Sequence, residues 1–238
     1  RNRYALYRTD PNLQAAHAAF PWLAVPDDHE VDDNYAGAIS KDEVDPALFL
    51  QRRANAYRAY YEHMPLRQRS FPMQADARFY RGLTVGDLVQ FNALDTRQYR
   101  SDQPCGHALQ FPCPGMFDPA QTMTGPDQEQ WLMRRLSGSP ARWNVIAQQV
   151  MFAQFDFLAG PGQAFNMDQW DGYVAARQRI TSFLQAARPS NPIVLTGDIH
   201  SSWVHNLKAD YADITSEVVG TEFVGTSITS DFLPALVA

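Results

Sequence analysis

A chain of 238 residues with 45% hydrophobic content can bury one full core, and no apolar run approaches the roughly 20 residues that a membrane span requires. A formal net charge of -6 leaves no basic field for nucleic acid, so no nucleic-acid groove is expected. Acidic groups gathered in one place would instead suit divalent or trivalent cations.

The chain enters on a helical pattern at Tyr4, Leu6 and Tyr7, and residues 1–20 predict two helices parted at Asp10-Pro11. Asp10 suits the N-cap of the second helix and Pro11 its first turn. A short apolar strand is expected from Trp22 to Val25. It runs into Asp27, Asp28, His29, Glu30, Asp32, Asp33 and Asn34, five carboxylates with a His and an Asn within eight residues. Such groups repel one another unless a cation sits among them, so this cluster points to metal or catalysis. The alternative is a solvated acidic loop.

Residues 45–64 predict the clearest helix, capped by Asp45 with Pro46 at the first turn. Leu48, Tyr57, Tyr60 and Tyr61 recur at helical spacing, and Pro65 ends the helix. Arg78 to Tyr80 and Leu88 to Leu94 read as two strands around a turn, the second ending in Asp95-Thr96-Arg97. Arg97 is suited to hold a phosphate through two parallel hydrogen bonds, or to form a structural ion pair with Asp95. Cys105 and Cys113 share one Pro-rich loop. With His107 they are too few for a closed zinc site, so a local disulfide, and with it an exported protein, is expected. Two reduced loop thiols in a cytosolic protein are the alternative.

A helix follows over DQEQWLMRRL, with Pro126 near its start and Gly138 and Pro140 beyond its end. Trp143 to Phe152 reads as a strand, with Gln148 and Gln149 structural or next to the site. A Gly/Pro-rich loop over 159–170 carries Asp168 and Trp170. Residues 172–187 predict an amphipathic helix with Asp171 as N-cap and Val174, Ile180, Phe183 and Leu184 as its buried stripe. In PIVLTGDIHSSW, Ile193 to Thr196 is a short buried strand broken at Gly197. It presents Asp198 and His200, an oxygen and a nitrogen ligand at a spacing that suits a metal. The alternative is a strand end with a capping Asp and an exposed His. Val218 to Ile228 reads as a last strand pair. Three strands thus end in Asp-containing clusters (27–34, 95–97 and 198–202). That pattern predicts an α/β layered fold with its site at one edge of the sheet.

Seven collinear blocks carry a family resemblance: DDHEVDDNYAG (27–37), LDTRQYRSDQPC (94–105), DQEQWL (127–132), RWNVIAQQVMFAQ (142–154), WDGYVAARQR (170–179), LTGDIHSSW (195–203) and EFVGTSITS (222–230). In order, they resemble the PhoD-like alkaline phosphatase family, a branch of the calcineurin-type metallophosphoesterases. The resemblance implies part of a four-layer α-β-β-α sandwich with a multinuclear centre of Ca2+ and Fe3+. It implies hydrolysis of phosphate mono- and diesters, with phospholipids or nucleotides among the candidate small-molecule substrates, and a periplasmic or secreted protein. Phospholipase D-like phosphodiesterase activity and a non-catalytic phosphate- or calcium-binding remnant are the rival readings. By matching motif, Asp28, Asp198 and His200 resemble metal ligands, and Asn34 resembles a ligand or support for calcium. His29 resembles the group that contacts the phosphoryl oxygens or protonates the leaving alcohol, and Arg97 would hold the phosphate.

Pro26 stands where the family has Trp, and Asp33 where it has Asn, which adds a charge beside the metals. No block matches the family's earlier motifs, which supply further ligands. Residues 1–238 are therefore expected to be a partial metallophosphatase catalytic domain, truncated at both ends, that binds metal weakly and is inactive by itself.

Overall fold

A computed structural model describes residues 1–42 and 44–231. The helices are α1 (Asn2–Tyr7), α2 (Pro11–Ala19), α3 (Pro46–His63), α4 (Gly125–Ser137) and α5 (Val174–Ala187). The strands are β1 (Arg81–Val85), β2 (Val89–Ala93), β3 (Leu109–Gln110), β4 (Trp143–Ala147), β5 (Phe165–Asn166), β6 (Pro192–Thr196), β7 (Trp203–Lys208) and β8 (Val218–Val224). The α/β expectation holds. Asp10 and Asp45 cap α2 and α3 as their positions predict, each accepting two backbone N–H groups of the first turn.

Six strands form one sheet in the order β1-β2-β4-β6-β8-β7, and β3 pairs with β5. The four central strands are parallel, and antiparallel β1 and β7 flank them. The carboxyl ends of β2, β4, β6 and β8 therefore lie along one edge, where α/β sheets place reactive groups. One face of the sheet is buried under α4 and α5. Ile146, Val194 and Leu207 from the strands meet Leu132, Leu136, Ile180 and Leu184 from the helices. A second core gathers Tyr57 and Tyr60 of α3 around Val31, Tyr35 and Phe79. The other sheet face carries Leu83, Val85, Leu195, Val204 and Phe223, all exposed. Leu195 and Phe223 are cross-strand partners inside the sheet and are still 40% and 43% exposed. The described residues thus supply a helical layer and one sheet, with one apolar sheet face bare.

Several expected elements shift. Trp22 to Val25 forms no strand, because it has no ladder partner among the described residues; the Ala24 carbonyl accepts from the Arg81 side chain instead. The strand expected at Arg78–Tyr80 begins at Arg81. The strand expected to reach Phe152 stops at Ala147, after which Gln148 and Gln149 turn the chain and bond across it with their amides. The expected terminal strand pair is one strand, β8, whose antiparallel partner β7 precedes it. On α3, Phe49 and Arg53 are buried with Tyr57 and Tyr60, whereas Leu48 is exposed. Asp171 is not the cap of α5. Trp170–Tyr173 forms a 3-10 turn, and the Asp171 carboxylate turns inward to Arg177 and the Phe155 N–H.

Candidate metal centre

The acidic loop is held from behind and from within. Val31 and Tyr35 anchor it in the α3 core, and the Tyr35 and Tyr57 hydroxyls lie 2.8 Å apart. Asp28 is buried; its carboxylate accepts from the His29 N–H at 2.9 Å and the Asn34 N–H at 2.8 Å. Gln149 fixes the start of the loop to the sheet. Its amide donates to the carbonyls of Pro26 and Leu94, at 2.8 Å each, and accepts from Thr96. One buried glutamine after β4 thereby ties the acidic loop to the end of β2.

Arg97 sits at the centre of this edge, 1% exposed. Its guanidinium donates to Asp27 at 2.6 Å, to Asp168 at 2.8 Å and to Asp198 at 3.4 Å, with Asp28 at 3.8 Å. The expected fork for phosphate is thus engaged with carboxylates, and the residue does not line the open cleft. Nor is it paired with Asp95, whose carboxylate accepts instead from the backbone N–H groups of Arg97 and Gln98. Arg100 and Gln103 complete the cage of Asp168, at 2.5 and 2.7 Å. Burial opposes ionisation of Asp168, but Arg100 and Arg97 outweigh it and hold the carboxyl below its ordinary range. Burial pushes Asp27 up, with Asp28 adding to the effect and Arg97 opposing it. Asp198 is pushed well up, by burial first and then by Asp27.

These carboxylates fit a hard cation. Ligand atoms of Asp27, Asp28 and Asp198 all lie within 4.8 Å of one another, as do those of Asp28, His29 and Asp33. Four buried or half-buried carboxylates (Asp27, Asp28, Asp168 and Asp198) face two arginines, leaving an excess of negative charge in a desolvated place. Asn34 points its amide at Asp28 and Asp168. With nitrogen in that position it donates to them at 3.1 and 3.3 Å; with oxygen there, only a cation shared with the carboxylates would hold it. Asp33 is paired with Lys41, so the charge it adds is countered. His200 stands outside both ligand groups; its Nδ1 meets the Asp231 carbonyl at 2.9 Å, though the residue lines the same cleft. Asn34, Asp198 and His200 have φ of +51°, +67° and +59°. Such backbone strain at three residues of one site is the kind that function retains.

Asp27, Asp168, Arg100 and Gln103 join the site without having been singled out as site residues. Asp27 stood in the acidic run beside the chosen Asp28. Asp168 carried no spacing signal, since its partners lie about seventy positions away in sequence. Cys105 and Cys113 are joined, with Cα atoms 6.7 Å apart. The cleft over the acidic cluster has a volume of about 520 Å3. Asp27, Asp28, His29 and Asp198 line it, together with Phe155, Phe157, Leu158 and Trp203.

Parallel strands ending in a carboxylate-rich cleft define an α/β protein with a candidate metal site at the carboxyl edge of its sheet. More narrowly, the chain belongs to the PhoD-like phosphatase family, which it matches over residues 1–236. It is 50% identical over 230 residues to alkaline phosphatase D of Bacillus subtilis (strain 168), a match covering 97% of this chain and 40% of that protein. A solved structure described as the structure of PhoD superposes with a TM-score of 0.93 at 49% identity. That match covers 96% of this chain and 44% of the other. The family expected from the seven motif blocks is the one matched. The chain spans about 40% of the curated relative's length.

Proposed function

We propose that this chain carries part of a metal-dependent phosphoester hydrolase, with residues 1–238 forming one portion of its catalytic domain. The observation that carries the reading is the Asp27, Asp28 and Asp198 cluster, three carboxylates within 4.8 Å at the carboxyl edge of a parallel sheet. Asp28 and Asp198 would hold the cations, with Asn34 supporting them and His200 offering a nitrogen from the cleft wall. The oxygen-rich set suits Ca2+, and the histidine nitrogens suit a transition metal, for which Fe3+ is the family's choice. The bound cations supply positive charge that lowers the repulsion between an ester anion and an incoming water. His29, exposed in the cleft, is placed to contact the phosphoryl oxygens or give a proton to the leaving alcohol. Arg97 holds Asp27, Asp168 and Asp198 in position; contact with phosphate would require it to release one of them.

The cleft continues past the acidic cluster, so an ester with a second substituent has room, which favours phosphodiesters alongside monoesters. Phospholipids and nucleotides both meet that description. The Cys105–Cys113 pair favours an oxidising compartment, periplasmic or extracellular. Among the described residues no helix is long and apolar enough to cross a membrane.

The test is metal content and hydrolysis measured together on the full-length protein, with p-nitrophenyl phosphate and its bis ester. Asp28→Asn and Asp198→Asn should each lose metal and at least about a hundredfold in activity, the scale at which even supporting residues of metal sites act. Variants that keep both metal and activity would remove these assignments. A wild-type protein that binds calcium or phosphate without turnover would favour a purely structural site. Residues 1–238 expressed by themselves should bind metal weakly and turn over no ester.

A further inference from the structure

We propose that the aromatic side chains lining the cleft beside the acidic cluster form a subsite, selecting phosphoesters that carry a flat ring one short linker from phosphorus. It rests on the reading of the cleft as a phosphoester site and names which esters that site takes. Phe155 packs against both Phe157 and Trp203 with ring centroids 4.7 Å apart, and Trp203 stacks on His205 at 6.0 Å and 14°. The Trp203 N–H already donates to the Ser201 hydroxyl at 2.6 Å, so the indole has no free donor and can offer a ligand only its ring. Trp203 is 36% and Leu158 42% exposed, which leaves apolar surface open within the cleft.

This wall is built into the fold. The Phe155 N–H donates to Asp171 at 2.9 Å, and Asp171 is locked by Arg177 at 2.5 Å. Asp156 accepts from the N–H groups of Leu158 and Ala164, and the Phe157 N–H donates to the Ala164 carbonyl at 2.9 Å. Trp203 begins β7 opposite Val224, at the last pair before the carboxyl end of β8, so it stands at the same sheet edge as Asp198. One cleft is thus lined by the acidic cluster and by an aromatic cluster, with the intervening Asp156 carboxylate engaged by backbone N–H groups. The occupant that satisfies both is an ester with a charged phosphoryl head and a flat apolar end. A benzylic alcohol and a nucleobase share that chemistry.

The experiment compares benzyl phosphate with ethyl phosphate, two alcohol leaving groups of similar basicity, on the metal-loaded full-length protein. A parallel arm sets a nucleoside 5′-monophosphate against ribose 5-phosphate. Calorimetry with benzylphosphonate and ethylphosphonate reads binding without turnover. Stacking of one ring predicts a preference of at least about tenfold in kcat/KM for the ringed partner, and Trp203→Leu should bring that ratio towards one. Phe157→Leu serves where the first variant does not fold. The arm with the larger ratio identifies the source of the ring. Hydrolysis with equal rates on ringed and ringless esters, or a ratio that neither variant moves, overturns the subsite and leaves the hydrolase reading intact. No turnover, but tight benzylphosphonate binding that Trp203→Leu weakens about tenfold, upholds the subsite and sinks the hydrolase reading. No turnover and no difference between the phosphonates removes both.

Discussion

Arg177 and Arg97 are 2% and 1% exposed, yet their surroundings differ. Arg177 pairs with a single carboxylate, Asp171, at 2.5 Å, and also meets the Phe152 carbonyl, the Gln154 amide oxygen and the Tyr211 ring. Its charge is cancelled one for one. Arg97 meets four carboxylates between 2.6 and 3.8 Å, and Arg100 shares only Asp168 with it. A buried cation needs one well-placed anion to offset its desolvation, and further anions add repulsion. The first arrangement serves the fold. The second is over-supplied with negative charge: burial raises Asp27 and Asp198 first, as it also raises Asp171, but only at Asp27 and Asp198 do several close carboxylates add to the rise. The difference separates a structural ion pair from a cluster whose excess charge a cation would offset.

The contrast can be broken most sharply at the balanced pair. Asp171→Ala leaves Arg177 buried without an anion and should destabilise the protein by about 3–5 kcal/mol in urea unfolding. A loss under about 1 kcal/mol, the scale of an exposed pair, would show that the pair is not structural. Next in size is cation binding. Calcium at a hundred times its dissociation constant should stabilise the protein by about 2.7 kcal/mol, and Asp28→Asn should abolish that gain, as a thermal shift would show. Asp198→Asn should act in the opposite sense to Asp171→Ala. In chelator it removes a repelled, half-buried carboxylate and should stabilise the protein, while metal content falls. If it destabilises as much as Asp171→Ala, the two sites are alike.

The smallest effect is on pH. Asp27 and Asp198 have folded values raised above the ordinary 3.8, so their contribution is fully present below about 3.8 and is lost as pH rises through the folded values. Asp168 is lowered, so its contribution is present above 3.8 and is lost as pH falls through its folded value. In chelator the melting temperature should therefore rise as pH is lowered from 8 towards about 5, then fall in stronger acid. With metal bound, the first slope should flatten. A monotonic fall from pH 8 in chelator would contradict the excess of charge.

Much of this was legible in the sequence, because local chemistry wrote it. Asp10 and Asp45 stand directly before prolines, and the acidic run from Asp27 and the Gly197-Asp198 strand end are contiguous signals. What was not legible depends on distant partners. Asp168 becomes a site residue only because the fold brings Arg97 and Arg100 to it. Arg97 reads as a phosphate fork or a partner of Asp95, because nothing in its own stretch reveals the aspartates at 27, 168 and 198. Asp171 looked like a helix cap because it precedes an amphipathic run, and a buried arginine six residues later redirected it. β7 escaped notice because Val204 and Leu207 are set among polar residues, and its pairing with β8 supplies the order that its own pattern lacks.

The bare sheet face leaves this chain with apolar surface in want of cover. Leu195 and Phe223 present a flat apolar surface on central strands, a surface that other copies, chaperones or a matching polypeptide would cover. It is therefore a natural seam for a two-piece reporter.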